Sequence, residues 1–307
     1  MTVRCVLPRL PSLAAAILLT SCCGMAAGCA TGPGSAGSPA WPPPESTRPK
    51  IGLALGGGGA RGFAEIGVIR ALEREKVPID VVAGTSVGSL IGALYADTGK
   101  SLDLEFSALT VTNEDLFDYK ALAILSGGFV KGEKLEEFLA SRLKNREIEK
   151  LALPFAAVAT ELRTGQTVFF ERGPAARAVH ASSAIPGVFV PVTIDGRTFV
   201  DGGVTDPVPV DAARKLGAQV VIAVSIPHAV PPRTPSNPIE IAYQAAMIMA
   251  AEIAHLRARE ADVVIAPDVG DVPYDDFSRK KELIEAGEAA TLAAMPAIRA
   301  AVAAHVK

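Results

Sequence analysis

Twice between residues 51 and 95 a short apolar run breaks into glycine and resumes as an apolar helical pattern. Ile51–Leu55 runs into Gly56-Gly57-Gly58-Gly59, and Phe63–Lys76 follows with apolar residues at Phe63, Ile66, Val68, Ile69 and Leu72. Val81-Val82-Ala83 runs into Gly84, and Val87–Tyr95 follows. The two runs lack the apolar–polar alternation of a half-exposed strand, so both read as strands buried on two faces. Two such strands, each followed by a helix, argue for an α/β fold with a parallel sheet.

The remaining pattern continues this theme. Helices are expected at Glu133–Leu143, Ala175–Ser183, Pro209–Leu216 (closed by Gly217) and Ile239–Arg259. Strands are expected at Phe155–Thr160, Thr167–Phe170, Arg197–Val200, Val220–Ile226 and Val263–Ala266. The Pro-rich stretch 229–238 reads as a loop. Leu283–Val306 reads as an Ala-rich helix broken at Pro296.

The first 49 residues are of another kind. Arg4 and Arg9 precede a seven-residue apolar run, Leu13–Leu19, which is too short to span a bilayer but suits the core of a signal peptide. Leu19-Thr20-Ser21-Cys22 resembles a bacterial lipobox. Residues 1–21 are therefore expected to be a lipoprotein-type signal peptide and Cys22 the lipidated residue. Ala26-Ala27-Gly28-Cys29 is a second candidate, and cleavage near Ala26-Ala27 without lipidation a third. Gly, Ser and Pro crowd residues 31–49, which cannot build a core, so 22–49 reads as a tether and 50–307 as the folded domain. A tethered lipoprotein would sit in the bacterial envelope, against a membrane surface, facing the periplasm or the exterior. The same tether would equally suit a binding protein.

Composition removes several kinds of chemistry. All four cysteines lie in the first 29 residues, so the domain is left without disulfides, thiolate metal sites or a cysteine nucleophile. The four histidines, His180, His228, His255 and His305, are not spaced as metal ligands, and no metal is expected. A net charge of −3 without a basic run argues against nucleic acid as a partner. Nothing in the sequence fixes an oligomeric state.

Gly84-Thr85-Ser86-Val87-Gly88 matches G-x-S-x-G with a strand before it and a helix after it. A serine at such a turn is exposed on a strained backbone, small neighbours let strand and helix approach, and the helix N-terminus favours developing negative charge. Helix capping by Thr85 or Ser86 is the plain structural alternative. Gly57-Gly58-Gly59-Ala60-Arg61-Gly62 also satisfies the dinucleotide fingerprint G-x-G-x-x-G. That reading needs an acid at the end of the next strand, but Asp80 stands at its start and Gly84-Thr85-Ser86 occupies its end. The other use of the loop is an oxyanion hole, because strand ends in a parallel sheet share one edge and the two glycine turns can meet there.

A nucleophilic serine needs a base. Asp201-Gly202-Gly203 ends another strand, so its carboxylate is placed to serve. His228 follows strand 220–226, and Ser86…Asp201…His228 is the chain order of an α/β-hydrolase triad, so the residues alone leave both bases open.

Taken together, the 57–62 and 84–88 motifs, Asp201-Gly202-Gly203, and Ala181-Ser182-Ser183-Ala184-Ile185-Pro186-Gly187 followed by Pro191 resemble the patatin-like phospholipase family over about residues 50–290. The motif-bearing core is 51–211. The resemblance implies a three-layer α/β/α fold with a mostly parallel central sheet. It implies a serine–aspartate dyad without histidine: Ser86 as nucleophile, Asp201 as proton acceptor, and the backbone of Gly57, Gly58 and Gly59 as oxyanion hole. Arg61, Gly62, Gly84, Gly88, Gly202 and Gly203 support the motifs. The implied activity is hydrolysis of an ester in a phospholipid, lysophospholipid or other lipid, with no cofactor. Residues 101–150 are where lid and substrate contacts are expected. A catalytically silent lipid-binding or scaffold protein on the same fold is the alternative.

Overall fold

β1 (Ile51–Leu55) alternates large and small residues, and that alternation separates the two faces of the sheet. Ile51, Leu53 and Leu55 enter the larger core, while Ala54 enters the smaller one. On the small face a side chain at Gly52 would come within 2.5 Å of Ala218 Cβ, in the turn after the helix Val210–Lys215, and 3.3 Å from Ala213 Cβ of that helix, so the strand is packed close there. The computed structural model describes residues 41–118, 128–226 and 234–306. Residues 1–21, Cys22, Cys29, most of the expected tether and His228 lie outside the described residues.

In chain order the elements after β1 are α1 (Phe63–Arg74), β2 (Val81–Thr85), α2 (Val87–Thr98), α3 (Ser101–Thr110), α4 (Asn113–Leu116) and α5 (Glu133–Arg142). There follow β3 (Phe155–Glu161), β4 (Thr167–Phe170), α6 (Ala175–Ser182), β5 (Val192–Ile194), β6 (Arg197–Asp201) and α7 (Val210–Lys215). The chain closes with β7 (Val220–Val224), α8 (Pro238–Ala258), β8 (Val263–Ile265) and α9 (Lys280–Ala303). All strands join one eight-stranded sheet in the order β5-β6-β3-β2-β1-β7-β8, with β4 paired to β3. β3, β2, β1, β7 and β8 run parallel; β4, β5 and β6 pair antiparallel. Helices α1, α2 and α9 contribute to the large core, and α7 with Ala254 and Ala258 of α8 to the small one. The fold is thus the expected α/β/α arrangement about a mostly parallel sheet.

β6 reaches its place from the opposite direction to the parallel strands. β2 pairs with Phe155–Val158 of β3, β6 pairs with Ala159–Glu161, and β4 pairs with Ala157–Thr160. A strand has two edges. β4 overlaps both other partners, so β2 and β6 must share the remaining edge. They run head-on along it, and their carboxyl ends meet between Val158 and Ala159.

Two expectations change. α9 is continuous through Pro296 rather than broken there. Pro296 and Leu292, whose carbonyl loses its usual i+4 donor, both lie on the exposed face, where water can take the bond. Between 101 and 116, where no element was expected, the chain forms α3 and α4. α3 hides its periodicity by exposing Leu102, Phe106 and Leu109 while burying Leu104 and Ala108. In addition, the last residues of the expected tether sit on the domain. Trp41 donates to Glu75 O at 3.0 Å, and Arg48 makes two bonds to Asp80, which also accepts the Ile51 N–H. Asp80 therefore ties down the start of β1. Among the described residues no helix is long and apolar enough to cross a membrane.

α1, which carries the glycine loop at its start, is braced by α9 through direct backbone contact. A Cβ at Gly287 would fall 1.8 Å from Ala64 O, and one at Gly67 1.9 Å from Ile284 O. Gly287→Ala must push the two helices apart and is expected to cost about 2 kcal/mol or more, read as a lowered urea midpoint. An unchanged midpoint would contradict this packing.

Candidate active site

Ser86 follows β2 and opens α2 with φ 55° and ψ −126°, a left-handed conformation that costs a residue with a side chain of the order of 1–3 kcal/mol. The neighbouring glycines make that turn possible. A Cβ at Gly84 would lie 2.2 Å from Gly88 O, and one at Gly88 2.5 Å from Leu55 O. Gly62 allows the loop to pass Val87, whose side chain a Cβ there would meet at 2.5 Å. The capping alternative is not realised: no side-chain hydrogen bond caps α2. Ser86 is 7% exposed, so its hydroxyl works in a largely water-excluded place.

The register brings Asp201 to this point. Thr85 pairs with Val158, and Ala159, the next residue of β3, pairs with Asp201. Gly202 then turns the chain away against β3, where a Cβ would lie 2.2 Å from Val158 O. Asp201 Oδ1 accepts the Gly203 N–H at 2.7 Å. Oδ2 is buried and has no partner of good hydrogen-bond geometry among the described residues. Burial pushes the Asp201 carboxyl up to about 6; the Ser86 hydroxyl and the Gly203 N–H pull the other way. The Ser86 hydroxyl is thus near enough to influence the Asp201 carboxyl, though the two form no hydrogen bond of good geometry.

The glycine loop is partly committed to structure. Gly57 N–H donates to Pro207 O at 3.0 Å and Ala60 N–H to Tyr274 O at 2.6 Å. Of the three residues assigned to an oxyanion hole, Gly57 thus has no N–H to offer. Its bare Cα instead makes room beside Ser86, whose Cβ a Gly57 side chain would meet at 3.4 Å. Gly58 and Gly59 N–H make no backbone bond among the described residues. Arg61, buried, donates from Nε to Gly58 O at 3.2 Å. Because carbonyl and N–H point oppositely across a planar trans peptide, this bond turns the Gly59 N–H away from Arg61.

Three residues support the site in roles the sequence did not signal, although two of them, Thr85 and Ser182, lie in its motifs. Ser182 Oγ accepts the Ser86 N–H at 2.9 Å. Thr85 Oγ1 donates to Asp206 O at 2.8 Å, tying the elbow to the segment after Asp201. Glu65, on the first turn of α1, is fully buried, and desolvation holds its carboxyl well above the usual range against the opposing Gly56 N–H. A single acid buried on the inner face of a helix does not announce itself in a helical pattern.

His180 is buried and points elsewhere: Nδ1 lies 2.5 Å from Glu136 Oε1, and Nε2 faces the bare Cα of Gly132. His255 lies on α8, and His305 bonds to Ala301 O near the end of the chain. Among the described residues no cluster of three or more His, Cys, Asp or Glu is arranged to hold a metal.

Beside the elbow lies a small apolar cavity of about 40 Å³. Gly59 and Ala60 of the glycine loop, Val87 of the elbow, and Phe63, Leu90 and Ile91 are among its walls.

A sequence profile described as patatin-like phospholipase matches residues 53–214. An uncharacterized NTE family protein of Mycobacterium tuberculosis is 39% identical over 181 residues, 59% of this chain and 50% of that protein. Lysophospholipase NTE1 of Coccidioides immitis is 35% identical over 179 residues, 57% of this chain and 11% of that protein. The chain thus spans half or less of the length of these curated relatives. The crystal structure of VipD from Legionella pneumophila aligns with a TM-score of 0.49 at 15% identity, over 83% of this chain and 67% of that one.

The raised carboxyl has a consequence for stability. In the unfolded chain Asp201 ionises near its ordinary 3.8, in the folded protein near 6, so the folded state pays for ionisation as pH rises between the two. Relative to Asp201→Asn, the wild type should lose stability from roughly pH 4 to pH 6 and then level off, with the variant ahead by up to about 3 kcal/mol at neutral pH. Urea midpoints of both proteins at each end of that window check this. A constant gap would contradict it.

Proposed function

Because the chain belongs to the patatin-like phospholipase family, we propose that it is a serine hydrolase of lipid carboxylic esters, with Ser86 as nucleophile and Asp201 as base. The observation that carries this reading is the head-on meeting of β2 and β6. It sets a strained, buried serine beside a carboxylate whose second oxygen is unpartnered among the described residues.

The steps follow from these groups. Ser86 Oγ attacks the ester carbonyl while Asp201 takes its proton. The tetrahedral oxyanion is held by the N–H groups of Gly58 and Gly59, a kind of contact worth roughly 3–4 kcal/mol per donor in a protease. Collapse expels the alcohol portion, which receives the proton from Asp201, and leaves an acyl-Ser86 ester. Water then attacks that ester as Asp201 again accepts a proton, releasing the carboxylic acid and restoring Ser86. A base titrating near 6 is ionised at neutral pH and still basic enough to accept a proton.

The apolar lining that begins at the glycine loop and the elbow supports a fatty acyl chain as the acid portion of the substrate, although the cavity, at about 40 Å³, must widen to admit one. Phospholipids, lysophospholipids and other lipid esters share that portion. The names of relatives, lysophospholipase among them, support the same substrate class. The lipobox-like Leu19-Thr20-Ser21-Cys22 supports action at a membrane of the bacterial envelope.

Hydrolysis of a p-nitrophenyl ester and of a lysophospholipid by the full chain tests the assignment. Ser86→Ala and Asp201→Asn are each expected to lower kcat by about 10³-fold or more, as nucleophile and base losses do, while His228→Ala retains activity. Loss of activity in a folded His228→Ala protein would replace the dyad with a triad. A folded wild type that cleaves neither ester would contradict the hydrolase reading.

A further inference from the structure

The elbow breaks the sheet ladder at a buried place. β2 pairs with β3 as far as Thr85 and Val158, and at Ser86 the chain turns out of the sheet into α2. That departure leaves the Ser86 N–H and the Val158 carbonyl facing a gap. Buried backbone groups are almost always paired, so something must fill it. The Ser182 hydroxyl does: it accepts the Ser86 N–H at 2.9 Å and donates to Val158 O at 2.5 Å. Ser182 is fully buried at the end of α6.

We infer that Ser182 is the positioning residue of the catalytic serine, a hydroxyl wedged into the sheet that sets how far Ser86 stands from β3. The inference rests on the proposed role of Ser86. Only a group that is donor and acceptor at one atom can join an N–H to a carbonyl in line, which a serine or threonine hydroxyl does and an alanine cannot. The same segment also holds the other partner. Asp201 lies in a non-hydrogen-bonded position opposite Ala159, and its N–H turns away from β3 to Ala184 O at 2.9 Å. Ser182 thus fixes Ser86 and Ala184 fixes Asp201, two residues apart on one stretch of backbone. The spacing of the dyad is set from outside the two strands that carry it.

Without the hydroxyl, the Ser86 N–H must seek Val158 O directly or remain unpaired. Either way the elbow shifts relative to Asp201, and small displacements of reacting groups lower rate more than binding. Ser182→Ala is therefore expected to lower kcat for ester hydrolysis by about 10- to 100-fold, with KM changed less than about twofold. The rate of labelling by a fluorophosphonate, which needs Ser86 but no lipid site, should fall by a similar factor. Ser182→Thr, which restores the hydroxyl, should recover most of both rates. Val179→Ala, a buried truncation in the same helix, controls for stability: it should lower Tm while keeping kcat.

Wild-type kcat in Ser182→Ala would overturn the inference. So would equal loss of kcat in Val179→Ala, or a Ser182→Thr protein with native Tm and a rate no better than Ser182→Ala. An inactive wild type would overturn the Ser86 reading itself, and is distinguished from these by the wild-type lane alone.

Discussion

Two strands ending against each other on one edge of a third is the constraint from which the site follows. β2 contributes a serine where it leaves β3, and β6 contributes a carboxylate where it arrives. Neither loop has to reach far, because the register of β3 places Val158 and Ala159 side by side. The antiparallel direction of β6 is essential. A parallel strand on that edge would continue β2 rather than oppose it, and its carboxyl end would lie beyond the far end of β3.

Close backbone approach makes this junction possible and also gives it its electrostatics. Gly84, Gly88 and Gly202 stand where a Cβ would strike a carbonyl, and Gly67 and Gly287 let α1 and α9 touch behind the glycine loop. The resulting density excludes water from Asp201, which is what raises its carboxyl to about 6. The expected cost is stability lost near neutral pH, and in the proposed mechanism the gain is a base matched to that pH. A packed core, a strained serine and a perturbed carboxylate are thus one arrangement viewed at three scales.

Much of this was legible in the residues. Two buried apolar runs ending in glycine turns gave the parallel sheet, and the order of the Gly57–Gly62, Gly84–Gly88 and Asp201–Gly203 motifs gave the site residues their neighbourhood. What was not legible depends on who bonds to whom. Gly57 looks like an N–H donor in sequence, yet its N–H is taken by Pro207, because the chain after Asp201 folds back beneath the loop. Ser182 looks like one of two adjacent small residues, and only the gap between Ser86 and Val158 gives its hydroxyl a task. α3 was missed because its apolar residues face outward, and α9 runs through Pro296 because the unpaired carbonyl faces solvent. These outcomes turn on tertiary context, which local periodicity does not carry.

The central claim is that Ser86 is activated by Asp201, and covalent labelling addresses it most directly. The full chain, treated with a fluorophosphonate across pH and digested for mass spectrometry, should carry one adduct, on the peptide containing Ser86. Its rate of formation should rise through a midpoint near 6, the value at which buried Asp201 ionises, and Asp201→Asn should remove most of the rate. An adduct on a different serine, or an Asp201→Asn protein that labels at the wild-type rate with the same pH profile, would contradict the account.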